Sequence, residues 1–471
     1  MSDFDIPEQG CTVSTYMMRS IFLGVALFTS FNLTSQTLNK EQALEDLNTL
    51  RRNLESFHPG FYRYTTADSM AYYFKTAQNR IKKSQKVTDL YKEVTYLLSK
   101  VRCGHTRPSL PVAANDAFKR SQSFLPLSVR YLGQRLFIED LRTNEGGLAK
   151  GDELLSINGL SVSVLTEQIF EHLSADGFIK TGKYRQAERY FRYYYQLYVA
   201  PDSELYRLQV RKPSGDQTEV TITGERWDDL LSMDTPLPER AVLELEHRPD
   251  YSYMKIGTFV SYYLNNADLD YAAFLEASFS ALKRKGVKNL VLDLRDNGGG
   301  DDNYGALLVS YFADKPFRYF ERIEVTDDYE GYGNIERSNG RKLMTSHKGL
   351  STWQPQANRF TGKVYVLTNG RSFSTCADVS TVLHHHNWAT LIGEETGGGY
   401  DGNTSGYSRT LTLPNSNIRL NLPMWMYTTA NLGHDYYGRG AVPHKPVIPS
   451  LEGYLAAKDE VLAMAEALIS K

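Results

Sequence analysis

Cysteine is scarce in this chain, which carries only Cys11, Cys103 and Cys376 among its 471 residues. So few cysteines exclude a small fold held together by a framework of disulfides. If Cys11 is removed with a leader, Cys103 and Cys376 remain. They are then either a pair in an oxidising compartment or two buried free thiols, and the sequence leaves both alternatives open.

The chain also lacks an excess of charge of either sign. Lysine and arginine total 53, aspartate and glutamate total 55, and the formal net charge is −2. Because nucleic-acid binding normally shows as a basic excess or patch, no nucleic-acid partner is predicted. A hydrophobic content of 41% and a charged content of 23% are those of a globular protein, and the length predicts two or three domains.

Long apolar runs are absent except near the N-terminus. Residues 21–28 form a compact apolar run after Met17-Met18-Arg19, and small and polar residues follow. This order is that of a secretory signal peptide, and the run is short for a membrane span. We predict a leader over residues 1–38, with Met17 or Met18 as the true start, and a secreted or periplasmic location. Membrane association is expected only if the leader is retained as an anchor.

The remaining chain changes its periodicity twice. Residues 39–115 carry apolar side chains at helical spacing, as at Leu47, Leu50 and Leu54, and predict a helical segment. Residues 120–230 are strand-rich, and their Gly-Asp-Glu-Leu-Leu-Ser-Ile-Asn-Gly stretch resembles a PDZ domain. PDZ domains bind extended peptides by strand addition. The alternative is a PDZ-like spacer or lid.

Residues 240–471 alternate between strands and helices, which predicts an α/β domain. Strands are expected over 287–294 and 364–367, and a helix over 374–384. A single closing helix is expected over 456–469.

Three turns in this last region carry the chemistry, at residues 294–300, 369–374 and 393–399. The middle turn places Ser374 between a strand and a helix, where unpaired N–H groups favour developing negative charge. The first turn is rich in glycine and could aim further N–H groups at the same point. An acyl-transfer site is the leading interpretation. In this interpretation Ser374 is the nucleophile and Ser372 is expected to cap the helix. The alternatives are that Ser374 only caps the helix and that Ser372 competes for either role.

Taken in order, these turns and the Ile-Asn-Gly stretch resemble the tail-specific (C-terminal processing) peptidases of the tricorn-core family. The resemblance implies an α/β, ClpP/crotonase-like catalytic core over 240–471, preceded by the helical segment and the PDZ-like insert. It implies a serine peptidase that acts on polypeptides without a cofactor. It also implies Ser374 as the nucleophile, with the N–H groups of Thr375 and of Gly299 or Gly300 as oxyanion donors.

The general base is where the chain departs from many members of that family. Many use a lysine just past the third turn, but here that position is Gly399, and no lysine lies between Lys363 and Lys445. The tricorn-like branch instead uses a histidine in a motif that resembles Gly104-His105-Thr106. A histidine can take the serine proton near neutral pH. We therefore expect His105 to be the base, with His58 a distant alternative.

The acid that should orient the base is not located by the sequence. The tricorn-like branch supplies it near a Gly-x-x-Pro segment that resembles residues 440–443, yet the expected glutamate is absent there. Asp435 is the nearest acid and is the candidate, and Asp378 and Glu394 stay open.

Two further functions compete with proteolysis. The run His384-His385-His386 suggests zinc, but consecutive helical side chains point about 100° apart and cannot converge on one ion, so no metal is expected. The second is a non-catalytic cleft that binds a peptide or an apolar ligand, as in the retinoid-carrying relatives of this fold.

Overall fold

The computed structural model describes residues 37–142, 145–231, 242–430 and 436–471. The predicted signal peptide and Asp435 lie outside these residues. Among the helices described, none is both long and apolar enough to cross a membrane.

The N-terminal segment is helical, as its periodicity predicts. Asn39 starts the first helix through a capping box, in which its side chain accepts the Gln42 N–H and its own N–H reaches Gln42 Oε1, so two otherwise unpaired donors are satisfied. The elements are β1 (Thr37–Asn39), α1 (Lys40–Phe57), α2 (Ala67–Arg80), β2 (Ser84–Lys86), α3 (Val87–Val101), β3 (Pro108–Ser109) and α4 (Val112–Ser121).

The second segment is built on an antiparallel sheet with the strand order β4-β5-β6-β8-β9, and β7 pairs with β6. Its helices α6 and α7 and a π-helix at Tyr195–Val199 were not predicted, because buried tyrosines there obscure an amphipathic pattern. The elements are β4 (Leu127–Leu132), β5 (Arg135–Leu141), β6 (Glu153–Ile157), β7 (Leu160–Ser161), α5 (Val162–Phe170), α6 (Thr181–Arg189), α7 (Phe191–Tyr194), β8 (Leu205–Arg211), β9 (Gln217–Thr223) and α8 (Trp227–Leu230).

The third segment is an α/β unit. Its elements are β10 (Leu243–His247), β11 (Ser252–Ile256), α9 (Ser261–Asn266), α10 (Tyr271–Lys285), β12 (Asn289–Asp293), α11 (Asp302–Ser310), β13 (Phe317–Arg318), β14 (Phe320–Val325), β15 (Ile335–Ser338), β16 (Arg341–Met344), β17 (Thr352–Trp353), β18 (Lys363–Thr368), α12 (Thr375–His385), β19 (Thr390–Gly393), β20 (Thr404–Thr412), β21 (Arg419–Thr429), β22 (Lys445–Pro446), α13 (Leu451–Leu455) and α14 (Glu460–Ile469).

Two sheets organise the third segment. In the first, with the order β10-β11-β12-β18-β19-β22, all neighbours from β11 onward are parallel. Parallel strands bring their carboxyl ends to one edge, so the turns after β12, β18 and β19 meet there. The second sheet, β15-β16-β14-β21-β20, also pairs β21 with β3 of the helical segment. That pairing fixes the loop between α3 and β3 against the α/β unit.

The C-terminal helix differs from the prediction. The helix expected over 456–469 begins only at Glu460, as α14, and a separate short helix, α13 (Leu451–Leu455), precedes the expected span. Ala457 has a φ of 53°, which ends α13, and the Asp459 side chain accepts the Leu462 N–H to start α14. An aspartate within a stretch of helically spaced apolar residues is a signal that a new helix begins there, because its side chain can cap the first N–H groups.

Candidate active site

Ser374 lies in a strained turn between β18 and α12. Its φ is 54° and its ψ is −133°, and such a conformation costs a non-glycine residue about 1–3 kcal/mol. Two glycine backbones pack closely around it: a Cβ on Gly299 would lie 2.6 Å from Ser374 Cβ, and one on Gly398 would lie 2.9 Å from Ser374 N. The packing holds the turn in a shape that presents the hydroxyl at a strand-to-helix corner, where catalytic serines are found in other folds.

Neither serine of this turn caps the helix. The Ser374 side chain makes no capping hydrogen bond. The buried Ser372 hydroxyl donates to the Leu294 carbonyl at 2.9 Å and accepts the Asn369 N–H at 3.1 Å. The expectation that Ser372 is the cap is therefore wrong, because its hydroxyl joins the first and second turns instead.

His105 comes to Ser374 from the other end of the chain. Its Nε2 lies 3.1 Å from Ser374 Oγ, a hydrogen-bonding distance between residues 269 positions apart. The loop that carries it leaves α3 through Arg102, whose φ is 60°. The imidazole stacks on the Phe373 ring with centroids 4.5 Å apart, so the residue before the serine also orients the base.

The surroundings keep His105 neutral. Burial of most of the ring, followed by the nearby charges of Arg107 and His58, lowers the pKa of His105 to about 3. A neutral imidazole can accept a proton from the serine hydroxyl, whereas an imidazolium cannot. His58, the alternative base, is also buried, and its Nε2 lies 2.9 Å from Thr106 Oγ1, so it contacts the His105 loop and not the serine.

The backbone around Ser374 offers oxyanion donors. Thr375 is the first residue of α12, and the first N–H groups of a helix have no partner inside it. The Thr375 hydroxyl lies 2.8 Å from the Gly300 carbonyl oxygen and 2.9 Å from Asp302 Oδ1, which ties the helix start to the glycine loop. The Gly299 N–H, however, donates to Asn297 Oδ1 at 2.9 Å. This bond contradicts the expectation for Gly299, because its N–H is already engaged, and leaves Gly300 as the candidate donor from that loop.

Gly300 needs to be glycine for a local reason. Its φ is 144°, and a Cβ there would lie 2.1 Å from the Phe259 carbonyl carbon. The flanking residues hold the loop, since the Phe259 N–H donates to the Gly299 carbonyl and the Asp301 N–H donates to the Phe259 carbonyl. The chain after β11 therefore supports the glycine loop from behind.

The candidate orienting acids do not contact His105 among the described residues. Asp435 lies outside them. The Asp378 carboxyl accepts the Asn403 amide at 3.3 Å, and burial raises its pKa well above the usual range. Glu394 pairs with Arg185 at 2.8 Å. The structure instead places Asp176 beside the His105 loop, where its Oδ1 accepts the Gly104 N–H at 2.7 Å. No sequence motif surrounds Asp176 that would have marked it as a candidate for the orienting acid.

Gly399 occupies the position where a lysine would serve a Ser/Lys mechanism. It bridges to Gly440, and a Cβ there would lie 3.7 Å from Asp176 Cβ. The third turn thus packs against Asp176 through Gly399.

Both cysteines that flank the site are buried free thiols. Cys103 Sγ lies 3.3 Å from the Thr404 carbonyl oxygen, and Cys376 Sγ lies 3.4 Å from the Leu294 carbonyl oxygen. Single ligand atoms of Cys103, His105 and Asp176 lie within 4.8 Å of one another, so the three side chains form one cluster.

The histidine run at the end of α12 has separate partners. His384 Nδ1 lies 2.9 Å from the Tyr400 hydroxyl, and the His386 ring stacks on Trp388 with centroids 4.3 Å apart. The His385 and His386 ring centroids lie 4.9 Å apart, whereas His384 contacts Tyr400.

A serine hydroxyl in a strained turn, a neutral histidine within hydrogen-bonding distance and backbone N–H groups beside them define an acyl-transfer site of the serine-peptidase class. Residues 250–446 match the family model of peptidase family S41. Residues 250–446 are therefore a domain of peptidase family S41, whose members are serine peptidases that hydrolyse peptide bonds.

Three solved structures align with this chain. Mature CPAF complexed with lactacystin aligns with a TM-score of 0.64 at 16% identity, covering 92% of this chain and 99% of that chain. The photosystem II D1 C-terminal processing protease gives 0.41 at 15%, covering 88% and 96%. The tricorn protease gives 0.42 at 16%, covering 92% of this chain and 37% of that chain. The match to CPAF confirms the fold expected from the sequence.

Proposed function

We propose that this peptidase is a secreted or periplasmic serine endopeptidase with Ser374 as nucleophile and His105 as general base. The observation that carries the proposal is the 3.1 Å approach of His105 Nε2 to Ser374 Oγ. Two residues so far apart in sequence meet at this distance while Ser374 holds a strained backbone. Strain of this kind persists where the surrounding structure enforces it, often at functional sites.

The proposed reaction follows from this geometry. Ser374 Oγ attacks the carbonyl carbon of the scissile bond as its proton passes to His105 Nε2. The N–H groups of Thr375 and Gly300 hold the oxyanion that forms, and removing one such donor costs about 10²–10³-fold in kcat in well-studied hydrolases. His105 then gives the proton to the leaving amine, and water repeats the sequence to release the acyl group.

The substrates we propose are flexible or C-terminal polypeptide segments presented in extended form. Support comes from the resemblance of the insert to PDZ domains and from its sheet, which ends in the edge strand β9. Five of the seven residues of β9 are exposed, so its unpaired backbone groups are accessible for strand addition. The test is to compare one peptide with a free and an amidated C-terminus. Equal KM values would contradict capture of the terminal carboxylate.

The location rests on the leader alone. We propose that export removes the leader that precedes β1 (Thr37–Asn39), as the order of a signal peptide predicts. Mass spectrometry of the protein expressed in its own host, fractionated into cytoplasm, envelope and medium, tests this. An intact N-terminus in the cytoplasmic fraction would contradict it.

Catalysis is tested with two serines of the same turn. Ser374→Ala and His105→Ala should reduce cleavage of casein and of a C-terminally labelled peptide by at least about 10³-fold, since either change removes the acyl-transfer pair. Ser372→Ala is the matched control: it loses two buried hydrogen bonds and should cost about 1–3 kcal/mol of stability with little loss of kcat. Equal rates for wild type and Ser374→Ala, or cleavage by neither, would favour a ligand-binding cleft.

A further inference from the structure

A buried carboxylate, that of Asp176, lies close to the His105 imidazole. His105 Nε2 is directed to Ser374, while its Nδ1 is buried without a hydrogen-bond partner among the described residues. Asp176 also has an atom to spare: Oδ1 accepts the Gly104 N–H, and Oδ2 is buried with no hydrogen-bond partner of good geometry among the described residues, although the Gly399 N–H is near enough to lower the pKa of the carboxyl. A ring nitrogen of His105 and a carboxylate oxygen of Asp176 lie within 4.8 Å of each other.

The backbone holds the two side chains together. The Gly177 N–H donates to the Arg102 carbonyl at 3.0 Å, and Ser174 Oγ donates to the Thr106 carbonyl at 3.1 Å. These bonds lie on either side of the Gly104–Asp176 bond, so the loop after α5 and the loop after α3 form one hydrogen-bonded unit. A change that moved Asp176 would also move His105.

The carboxylate matters because His105 must become positively charged. When it takes the serine proton, a cation forms in a mostly buried ring, and a buried charge without a partner is costly. The neighbouring groups Arg107 and His58 disfavour that charge further. Cys103, the third member of the cluster, is a thiol whose pKa burial raises to about 12, so it supplies no negative charge near neutral pH.

Asp176 can supply the charge. Burial raises its pKa to about 6, against the opposing effects of the Gly104 N–H and the Arg63 guanidinium, so the carboxylate is ionised at neutral pH. The Tyr64 hydroxyl, whose pKa burial raises strongly, stays protonated nearby. Catalytic hydrogen bonds are often long in the free enzyme and shorten when substrate binds. We expect the distance between the His105 ring nitrogen and the Asp176 carboxylate oxygen to shorten in the same way.

We propose that Asp176 is the positioning residue of His105, the role for which Asp435 is the candidate from the sequence. The Nδ1 proton stays between His105 and Asp176 Oδ2 while Nε2 receives the proton of Ser374 Oγ, and the carboxylate remains ionised throughout. The inference rests on the proposed Ser374/His105 mechanism. It concerns a residue from the loop between α5 and α6 of the insert.

The test is Asp176→Asn, because the amide keeps an oxygen for the Gly104 N–H and removes the charge. We expect kcat to fall by about 10²- to 10⁴-fold, as when the orienting acid of a serine protease is neutralised, with KM within about threefold and an unchanged melting temperature. Cys103→Ser, which keeps a donor for the Thr404 carbonyl, is the matched control and should stay within about threefold of wild type. A downfield imidazole N–H proton resonance should be present in wild type and lost in both Asp176→Asn and His105→Gln.

The outcomes separate the two proposals. A kcat of Asp176→Asn within threefold of wild type would overturn the inference. So would a loss of kcat in Asp435→Asn that Asp176→Asn does not show, or a loss in Asp176→Asn that comes with a raised KM and a lowered melting temperature. If Ser374→Ala or His105→Ala retains activity, the proposed mechanism itself fails. If both are inactive and only Asp176→Asn is active, the mechanism stands and the inference about Asp176 is rejected.

Discussion

Two adjacent glycines of the first turn, Gly298 and Gly299, should differ sharply in how well they tolerate substitution by alanine. Gly299 has a φ of 97°, and a Cβ there would lie 2.6 Å from Ser374 Cβ, 2.8 Å from the Phe373 carbonyl oxygen and 2.9 Å from Thr375 N. A Cβ on Gly298 would meet no atom within 4 Å, and the φ of Gly298 is ordinary. Gly299→Ala should therefore be damaging, and Gly298→Ala is its natural control.

The magnitude follows from these contacts. A left-handed φ costs an alanine roughly 1–2 kcal/mol, and forcing a methyl group into a packed site costs about 1–3 kcal/mol, so Gly299→Ala should lose about 2–5 kcal/mol of stability. Carbon atoms pack at about 3.5–4.0 Å, so Ser374 Cβ must move by about 1 Å. A misplacement of about 1 Å can cost about 10²-fold in rate.

The assay measures denaturant midpoints and peptide cleavage for wild type, Gly299→Ala and Gly298→Ala. We expect kcat/KM to fall by about 10²-fold in Gly299→Ala and to stay within about threefold in Gly298→Ala. Wild-type activity and stability in Gly299→Ala would refute the reasoning, because the turn would then not depend on that close approach. Equal losses in both variants would also refute it, since a Cβ on Gly298 meets nothing.

Three further results are expected. Phe373→Ala removes the ring stacked on His105 and should lower kcat about tenfold with little change in KM, and an unchanged kcat in steady-state cleavage would count against an orienting role. The kcat/KM of wild type should fall as the pH drops through about 6, where Asp176 takes up a proton. In Asp176→Asn this decline should be absent down to about pH 4, since His105 stays neutral to about 3, and a pH–rate profile with the same decline in both proteins would contradict it. Arg295→Leu removes the 2.7 Å partner of the buried Asp293 and leaves Lys255 at 3.6 Å as its cation. It should cost about 1–3 kcal/mol in a denaturant titration, and a loss below about 0.5 kcal/mol would show that the pair is not structural.

Much of the fold was accessible from local patterns. Helical spacing at Leu47, Leu50 and Leu54 predicts α1, and the turn at residues 414–417 predicts the hairpin of β20 and β21, because both signals are contained in one short stretch. The antiparallel strands β14 to β16 and the helices around the π-helix at Tyr195–Val199 were not predicted. Whether their side chains are buried depends on contacts with residues distant in the sequence. They therefore show no regular helical or strand periodicity from which the element could be predicted.

The sequence by itself determined the catalytic pair expected here. A serine between a strand and a helix indicated Ser374. The resemblance of residues 104–106 to the tricorn-like motif, with Gly399 at the family's lysine position, implied His105. Only the tertiary structure decided which neighbours complete the site. In the folded chain the Gly299 N–H donates to Asn297, and the Ser374 backbone is strained. The hydrogen bond from the Gly104 N–H to Asp176, between residues 72 positions apart, brings Asp176 beside His105. Such contacts depend on how loops from three segments pack together, and no local pattern in the sequence specifies that packing.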